Sequence, residues 1–316
     1  MPPAFELSCV SKRYGRVEAL HEVSLAGHPG EVVGLVGENG AGKTTAVKCL
    51  VGLVTPSAGQ ALLLGAPARI PAVRAGLGYV PERPELPGWL TAAELIDREG
   101  RLLGLARPVR RERTARLLDL VGLQGDLWSR RVETWSKGER TRLALALALT
   151  GDPRVVLLDE PTDGLDPLGR RLVKDLVQRL RGEDRAVLLN SHILNEVEEV
   201  CDRVVILRAG RVVAQGRPAE LRAARPGAAV QVRLGAPPDE ADLVALRARW
   251  ADARADGERL ELTLGSLEET DALVDLLRGR GRSLRELRAQ GSLEQAFLEL
   301  VAPPAGSSAA AAGTRP

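Results

Sequence analysis

Apolar and polar positions along the first 220 residues predict alternating strands and helices. Continuous apolar runs at 31–36, 154–160 and 186–190 predict short strands that are buried on both faces. Apolar residues at helical spacing predict helices at 44–53, 91–103, 109–121, 142–150 and 168–181. Further strands are predicted at 5–10, 23–26, 59–64, 77–80, 203–207 and 211–214, and a short helix at 218–224. This order of elements is typical of an α/β domain.

The pattern changes from residue 228 onward. Strands are predicted at 230–234, near 250–255, at 260–264 and at 284–288, with helices at 239–249 and 267–277 between them. This β-α-β-β-α-β order predicts a small α+β domain of the ferredoxin-like, split-βαβ type over 228–301, ending in a helix at 292–301. We interpret it as an interaction or regulatory domain, because it holds no cluster of catalytic residue types. A linker is predicted at 225–227 and a disordered tail at 302–316.

Composition is that of an ordinary globular protein. Of 316 residues, 44% are hydrophobic and 27% charged, and the formal net charge of +2 gives no reason to expect nucleic acid as a partner. Cys9, Cys49 and Cys201 are isolated, which argues against a disulfide framework or a zinc site and favours a reducing compartment. We expect no secretion signal, since the first residues lack a charged-then-apolar pattern, and no apolar run approaches the roughly 18 residues that cross a bilayer. We therefore expect any membrane-spanning part to be a separate protein.

A glycine-rich stretch between the strand at 31–36 and the helix at 44–53 carries the most specific chemistry. It fits G-x-x-x-x-G-K-[ST], and its residues are Gly37, Glu38, Asn39, Gly40, Ala41, Gly42, Lys43, Thr44 and Thr45. Glycines let the backbone wrap around an anion, and the following helix start adds about half a positive charge. Lys43 is expected to reach the β- and γ-phosphates, and the Thr44 hydroxyl to bind Mg²⁺. The sequence therefore predicts a nucleotide site.

Two carboxylates end the strand at 154–160. Asp159 and Glu160 lie at its carboxyl end, where α/β sheets place their ligands. Asp159 is expected to hold Mg²⁺, usually through water, and Glu160 to polarise an attacking water. His192 follows the strand at 186–190, which we expect beside the strand of Asp159, and this places His192 near the γ-phosphate. A lone histidine after a strand is more often a capping or core residue.

Three other positions have two interpretations each. Tyr14 is either an aromatic that stacks on an adenine ring or a tyrosine packed on a hairpin. Trp89, in a proline-rich loop at 81–90, either belongs to a contact surface or folds back onto the core. Ser136 is a predicted helix N-cap that forms a capping box with Glu139, and that role needs no ligand.

In their order along the chain, these motifs resemble the ATP-binding subunit of an ATP-binding-cassette (ABC) transporter. The resemblance covers residues 4 to about 220 and rests on 37–45, Glu82, 135–139, Asp159, Glu160, Asp166 and His192. It implies a P-loop NTPase core of ABC type over residues 1–220, with an antiparallel β subdomain and a helical subdomain at about 88–150. It also implies ATP and Mg²⁺ as ligands.

The resemblance implies a role for each matching residue. Tyr14 is similar to the adenine-stacking aromatic, and Asp166 to the D-loop aspartate. Glu160 is similar to the catalytic base, and His192 to the switch histidine that contacts the γ-phosphate. The signature motif, here with Ser136 and Gly138, binds in this family the ATP held by the opposite subunit. Two copies are therefore expected to enclose two ATP molecules head to tail, and hydrolysis to release the dimer.

Two departures from the usual motifs resemble one branch of the family. The usual signature Leu-Ser-Gly-Gly-Gln is replaced by Trp135-Ser136-Lys137-Gly138-Glu139. The usual Q-loop glutamine is replaced by Glu82, which accepts hydrogen bonds from water or binds Mg²⁺ but does not donate when ionised. Both variants are similar to the drug-export branch, whose C-terminal extension ends in a Leu-Glu-x-x-Phe pattern, as at residues 293–297.

The sequence thus predicts the ATPase subunit of an exporter, peripheral to the cytoplasmic face of the membrane. ATP is expected to close a homodimer or a paired cassette, and a separate membrane permease to receive that closure through the loop at 82–90. The alternative is a soluble cassette ATPase that acts on ribosomes or DNA; such relatives usually carry two cassettes, or coiled-coil or zinc insertions. An inactive binding module is disfavoured because Lys43, Asp159, Glu160 and His192 are all present.

Overall fold

The computed structural model describes residues 2–223, 228–265 and 269–289. The chain divides between Arg217 and Pro218 into two compact units. The predicted linker at 225–227, the predicted helix at 292–301 with the motif at 293–297, and the predicted tail at 302–316 lie outside the described residues.

The first unit contains two sheets and the helices that pack on them. Its strands are β1 (Phe5–Tyr14), β2 (Val17–Gly27), β3 (Val32–Gly37), β4 (Ala58–Leu63), β5 (Ala66–Pro67), β6 (Leu77–Val80), β7 (Val155–Asp159), β8 (Ala186–Asn190), β9 (Arg203–Arg208) and β10 (Arg211–Gly216). Its helices are α1 (Lys43–Val51), α2 (Ala92–Leu102), α3 (Arg107–Leu120), α4 (Lys137–Ala148), α5 (Pro167–Gly182) and α6 (Leu194–Val200).

The larger sheet positions the candidate site. Its strand order is β10-β9-β3-β8-β7-β6, with parallel pairing from β9 to β6 and β10 antiparallel at one edge. Every residue of β3, β7 and β8 is buried, as the continuous apolar runs predict. Because β8 lies between β3 and β7, the carboxyl ends of these three strands are neighbours along one edge of the sheet.

The smaller sheet is antiparallel, with the order β2-β1-β4-β5. Helix α1 packs against strands of both sheets, so the two sheets share one core. Strands β1 and β2 extend past the predicted bounds because Tyr14 pairs with Val17 across a tight turn. The residues near this turn are exposed, including the apolar Val17, and backbone pairing rather than burial holds them, so apolar spacing does not predict this part of the strands.

The helical part of the first unit comprises α2, α3 and α4, which contact one another. Helix α4 begins at Lys137, ahead of the start at 142 that apolar spacing predicts. Its capping box of Ser136 and Glu139 is the one predicted from the sequence. In the arginine-rich α3, the side chains of Arg107 and Arg111 are exposed.

The second unit has the β-α-β-β-α-β order predicted from the sequence. Its elements are α7 (Pro218–Ala223), β11 (Ala228–Leu234), α8 (Glu240–Arg247), β12 (Arg254–Asp256), β13 (Arg259–Leu264), α9 (Glu269–Gly279) and β14 (Leu284–Ala289). The antiparallel sheet has the order β12-β13-β11-β14, and a separate apolar core lies against it. Buried Asp242 accepts from Arg280 and pairs with Arg282, which ties α8 to the end of α9.

The three cysteines are all free. Cys9 is exposed, whereas Cys49 in α1 and Cys201 after α6 are buried. Burial raises the pKa of the Cys49 thiol to about 11 and raises that of Cys201 as well.

Across the described residues, we find no helix with the length and apolar content that a bilayer crossing requires.

Candidate active site

The loop between β3 and α1 is shaped by close backbone approaches. A Cβ at position 37 would lie 2.4 Å from the carbonyl oxygen of Leu207, and one at position 42 would lie 2.5 Å from that of Ala19. Gly40 and Gly42 have φ values of 84° and 103°, in the left-handed region that favours glycine. Glycine is therefore required at 37 and 42 by packing, and favoured at 40 by backbone conformation alone.

The first turn of α1 leaves its backbone N–H groups without a side-chain cap. Gly42 is the N-cap residue and has no side chain that could accept from them. Glu38, Asn39, Gly40 and Thr44 are exposed around this turn. Uncapped N–H groups at a helix start form an anion site, and the helix dipole favours negative charge there.

Lys43 lies under the loop with its side chain directed at backbone carbonyls. Its residue is only 8% exposed, and Nζ donates to the carbonyl oxygens of Gly37 at 2.7 Å and Glu38 at 3.2 Å. Burial lowers the pKa of Lys43, while the negative charges of Glu160, Asp159 and Glu82 act in the opposite direction. These two hydrogen bonds hold the ammonium at the loop. Its third N–H group is left to donate to an anion.

Asp159 is almost fully buried at the end of β7. It is paired in register with Asn190 at the end of β8, and its Oδ1 accepts from the Asn190 side-chain amide. Burial raises the pKa of Asp159, the Asn190 hydrogen bond opposes this, and the charges of Glu160 and Glu82 add to the rise. A cation beside this carboxylate would offset the free-energy cost of burying its negative charge and the repulsion from Glu160 and Glu82.

Glu160 and His192 are in direct contact, as the neighbouring positions of β7 and β8 predict. His192 Nδ1 lies 2.7 Å from Glu160 Oε2, and the His192 backbone N–H donates to the same oxygen at 3.3 Å. The Glu160 N–H donates to the Asn190 carbonyl at 2.8 Å, and its φ of 50° turns the chain sharply after the strand. The carboxylate and the imidazole are thus brought together at the edge of the sheet where the α1 loop also lies.

Glu82 follows β6, which is parallel to β7, and therefore lies at the same carboxyl-end edge of the sheet. Its carboxylate lies 3.6 Å from Arg83 Nε and is nearly half exposed. Its charge acts on Lys43 and Asp159. Burial raises the pKa of Tyr79 to about 12, and the charges of Asp159 and Glu82 add to this rise. Within the described ranges, no group of three or more His, Cys, Asp or Glu side chains is arranged to hold a metal ion by itself.

Tyr14 lies at the end of β1 with its ring exposed. The residue is 47% accessible, and Lys12 Nζ lies 5.1 Å from the ring centroid. Tyr14 pairs with Val17 in the β1–β2 hairpin and leaves about half of its surface accessible, so both interpretations of the sequence stay open.

The signature segment forms the start of α4, and its own side chains cap that helix. Ser136 Oγ accepts from the Glu139 N–H at 3.2 Å, and Glu139 Oε2 accepts from the Ser136 N–H at 2.7 Å. Trp135 is 3% exposed, so this departure from leucine keeps an apolar residue in the core. Gly138 lies against Leu165, since a Cβ there would be 3.3 Å from Leu165 Cδ2.

Asp166 is the N-cap of α5. Its Oδ1 accepts from the Gly169 N–H at 2.8 Å. The structure therefore places Ser136, Gly138 and Asp166 around the turn at 161–166, with hydrogen bonds inside α4 and α5.

Three residues at the site were missed by the sequence reasoning. Asn190 has a recognisable signal, since it is a polar residue at the end of an apolar strand expected beside Asp159. Thr162 donates to Glu196 at 2.6 Å, and Glu196 is buried in α6 and lies 3.6 Å from Arg170. No local pattern connects Thr162 with Glu196, because they are brought together only by the packing of α6.

Comparison with known proteins identifies the family. The family model described as ABC transporter matches residues 20–163. Nod factor export ATP-binding protein I of Rhizobium johnstonii is 34% identical over 304 residues, which is 95% of this chain and 95% of that protein. An ABC transporter ATP-binding protein of Nostoc sp. is 42% identical over 207 residues, 65% of this chain and 62% of that protein, so the match spans less than two thirds of that relative. A solved ATP-binding subunit of an ABC transporter superposes with a TM-score of 0.65 at 32% identity, over 69% of this chain and 92% of the other.

The matches agree with the order of motifs and with the sheet described above, and they confirm the family and the cassette fold predicted from the sequence. This chain is an ATP-binding protein of the ABC transporter family.

Proposed function

We propose that the chain binds ATP with Mg²⁺, hydrolyses it as one of two paired cassettes, and drives export through a separate membrane-spanning subunit. The observation that carries this proposal is the meeting of four groups at one edge of the parallel sheet. These are the uncapped start of α1, Lys43, the buried Asp159 and the Glu160–His192 pair. Each has a separate part in binding or hydrolysing a nucleoside triphosphate.

The donor set fits ATP and Mg²⁺. The open N–H groups of α1 and the Lys43 ammonium suit the phosphates. Mg²⁺ prefers oxygen ligands and keeps much of its water, so the Thr44 hydroxyl, Asp159 and Glu82 are sufficient together with phosphate oxygens. When bound, Mg²⁺ supplies charge neutralisation for the phosphates.

Glu160 and His192 are assigned to hydrolysis. The Glu160 carboxylate accepts a proton from the attacking water, and His192 holds that carboxylate in place through its ring nitrogen and backbone N–H. His192 is more than half exposed, so its ring is also accessible to the γ-phosphate.

A second copy completes the site in this proposal. Ser136, Gly138 and Asp166 lie around the turn at 161–166 and face the nucleotide of the other cassette. Tyr14, with its exposed ring, stacks on the adenine.

Export and membrane location rest on the relatives and on one exposed side chain. The relative that aligns over nearly the whole chain is named for Nod factor export, and we carry over only the export class. Trp89 is 68% exposed at the tip of the proline-rich loop, and an exposed tryptophan of this kind suits a protein contact. We assign this loop to the membrane subunit and the chain to the cytoplasmic face of the membrane.

The test is a pull-down of tagged full-length Glu160→Gln protein from detergent-solubilised membranes of its source, with ATP present. Glu160→Gln keeps the shape of the site but removes the base, which lowers hydrolysis by about 10²- to 10⁴-fold and keeps the ATP-bound state. We expect a multi-span membrane protein to be recovered. The double variant Glu160→Gln, Trp89→Ala is expected to bind ATP equally well and to recover less of it. Recovery of ribosomes or DNA-bound proteins with nothing from the membrane would refute the exporter.

A further inference from the structure

The first turn of α4 is seated on the turn that follows Glu160. Lys137, which stands where the family signature usually has glycine, places its Nζ 2.7 Å from Asp163 Oδ2. The two residues are 26 positions apart, so the ion pair joins separate parts of the chain.

Close packing accompanies this ion pair. Gly164 has a φ of 72°, and a Cβ there would lie 2.9 Å from both Cδ and Nζ of Lys137. The aliphatic part of Lys137 therefore lies directly on the Gly164 backbone. Next to it, Gly138 contacts Leu165, which is 7% exposed. Three consecutive residues of the turn thus contact two consecutive residues of α4.

The same turn is fixed on its other side. Glu160 precedes it and is bonded to Asn190 and His192, and Thr162 donates to the buried Glu196 of α6. The Lys137 ammonium lowers the pKa of Asp163, which keeps the carboxylate ionised, and His192 and Arg83 add in the same direction. A short stretch of backbone therefore links the helix start that carries Ser136 to the segment that carries Glu160 and His192.

We propose that Lys137 is a positioning residue, whose ion pair with Asp163 holds Ser136 in a fixed place relative to Glu160 of the same chain. The catalytic part of this inference rests on the proposed function, in which Ser136 serves the nucleotide of the second copy and Glu160 serves the chain's own. The ion pair then ties the geometry of one nucleotide site to that of the other. It also gives a reason for lysine in a signature that usually has glycine at this position.

The experiment is a double-mutant cycle on the full-length chain, with kcat, KM and the equilibrium affinity for ATP measured for each variant. Lys137→Met removes the charge but keeps a long chain to lie on Gly164, and Asp163→Asn removes the partner charge. Lys137→Arg keeps the charge. Lys174→Met, which removes the exposed ion pair of Lys174 with Glu199 between α5 and α6, is the matched control.

Each charge-removing variant is expected to lower kcat by about two- to fivefold, the scale of one partly exposed ion pair, with ATP affinity unchanged. The double variant is expected to match the single variants instead of multiplying their losses, and Lys137→Arg to retain the parental kcat within about twofold. Raising the salt concentration is expected to lower kcat of the parental chain but not of Lys137→Met. Lys174→Met is expected to behave as the parental chain.

Two results would overturn the inference. If Asp163→Asn leaves kcat unchanged while Lys137→Met lowers it, Lys137 acts directly on phosphate and not through Asp163. If the losses multiply in the double variant, the two residues act separately.

A structural readout separates this inference from the proposed function. Amide hydrogen exchange of the segment 136–141 is expected to rise about two- to fivefold in Lys137→Met and not in Lys174→Met. Unchanged exchange rules out the positioning role whether or not the chain hydrolyses ATP. If exchange increases in Lys137→Met but the parental chain has no ATPase activity, the positioning role of Lys137 stands and the proposed function is refuted.

Discussion

Helices α1 and α4 both begin at a segment assigned to phosphate binding, but they differ in whether side chains cap their first backbone N–H groups. At α1 the N-cap is Gly42, and no side chain accepts from the first N–H groups. At α4 Ser136 and Glu139 form a complete capping box, of the same kind that Thr91 and Glu94 form at α2. One helix start is open to an anion, whereas the other is satisfied by its own side chains.

This difference predicts an order of binding. An anion at α1 gains hydrogen bonds without displacing any side chain. An anion at α4 has to share N–H groups with Ser136 and lies near the Glu139 carboxylate, so it binds well only when other charges, such as Mg²⁺ or a second cassette, come with it. We therefore expect the isolated chain to hold nucleotide at α1 alone, and α4 to be engaged after two chains meet.

The largest effect is expected from closing the open helix start. In Gly42→Ala the added Cβ would lie 2.5 Å from the Ala19 carbonyl oxygen, at a φ of 103° that L residues rarely adopt. The loop must shift, at a cost of about 1–3 kcal/mol. Since 1.4 kcal/mol is a factor of ten, ATP affinity is expected to fall about ten- to a hundredfold in calorimetric titration.

Gly40→Ala is the matched control for this variant. Its φ of 84° is also left-handed, but a Cβ there has no atom within 4 Å. Only backbone strain of about 1 kcal/mol is expected, with a correspondingly smaller loss of affinity. Equal losses in the two variants would show that the close approach to Ala19 does not shape the site.

A smaller effect is expected from removing the cap of the closed helix start. Ser136→Ala should cost about 1 kcal/mol of stability by thermal unfolding, and Thr91→Ala in α2 about the same. Hydrolysis should fall by about tenfold or more in Ser136→Ala only, because a hydrogen bond to a charged phosphate contributes at least about 1.5 kcal/mol. ATP affinity of the isolated chain should be unchanged in both. A loss of affinity in Ser136→Ala would mean that α4 already contacts nucleotide within one chain.

The smallest effect is expected in the pH dependence of the stability that Glu139 contributes to the same cap. The hydrogen bond from the Ser136 N–H lowers the pKa of Glu139 below its usual value of 4.5, in spite of partial burial. A lowered pKa in the folded state stabilises the fold fully above the usual value, and this contribution is lost as pH falls through the folded value. Glu139→Gln should therefore be less stable than the parental chain at neutral pH, and this difference should shrink as the pH falls below 4.5. A stability difference that does not change with pH would show that the charge of Glu139 is not involved.

The parts of the fold that follow from burial were predictable from the sequence. Strands β6 and β8 have the predicted bounds, because apolar runs end where the chain leaves the core. The expectation that β7 and β8 are adjacent is met, and the residues that follow these strands, Glu160 and His192, are in contact. The sequence can therefore predict which side chains lie close together at the carboxyl ends of buried parallel strands.

Contacts between exposed or distant residues were not predictable in this way. The Lys137–Asp163 pair and the Thr162–Glu196 hydrogen bond join positions 26 and 34 residues apart, and no periodicity encodes such pairs. Apolar spacing alone starts α4 at 142, five residues late, whereas the predicted N-cap at Ser136 gives the observed start at Lys137. Asp166 was assigned from the family pattern, which did not indicate that its carboxylate caps α5.

The arrangement of the three cysteines gives this chain a built-in chemical reporter. Cys9 is open to reagents, whereas Cys49 is 1% exposed inside α1, where burial also raises its thiol pKa to about 11. A thiol dye added at neutral pH should therefore label Cys9 first, and should reach Cys49 only in the moments when α1 leaves its place between the two sheets. Because Cys201 is also buried, the label has to be followed at Cys49 itself, and its rate there would measure the opening of α1. Bound ATP should slow that rate in proportion to its affinity.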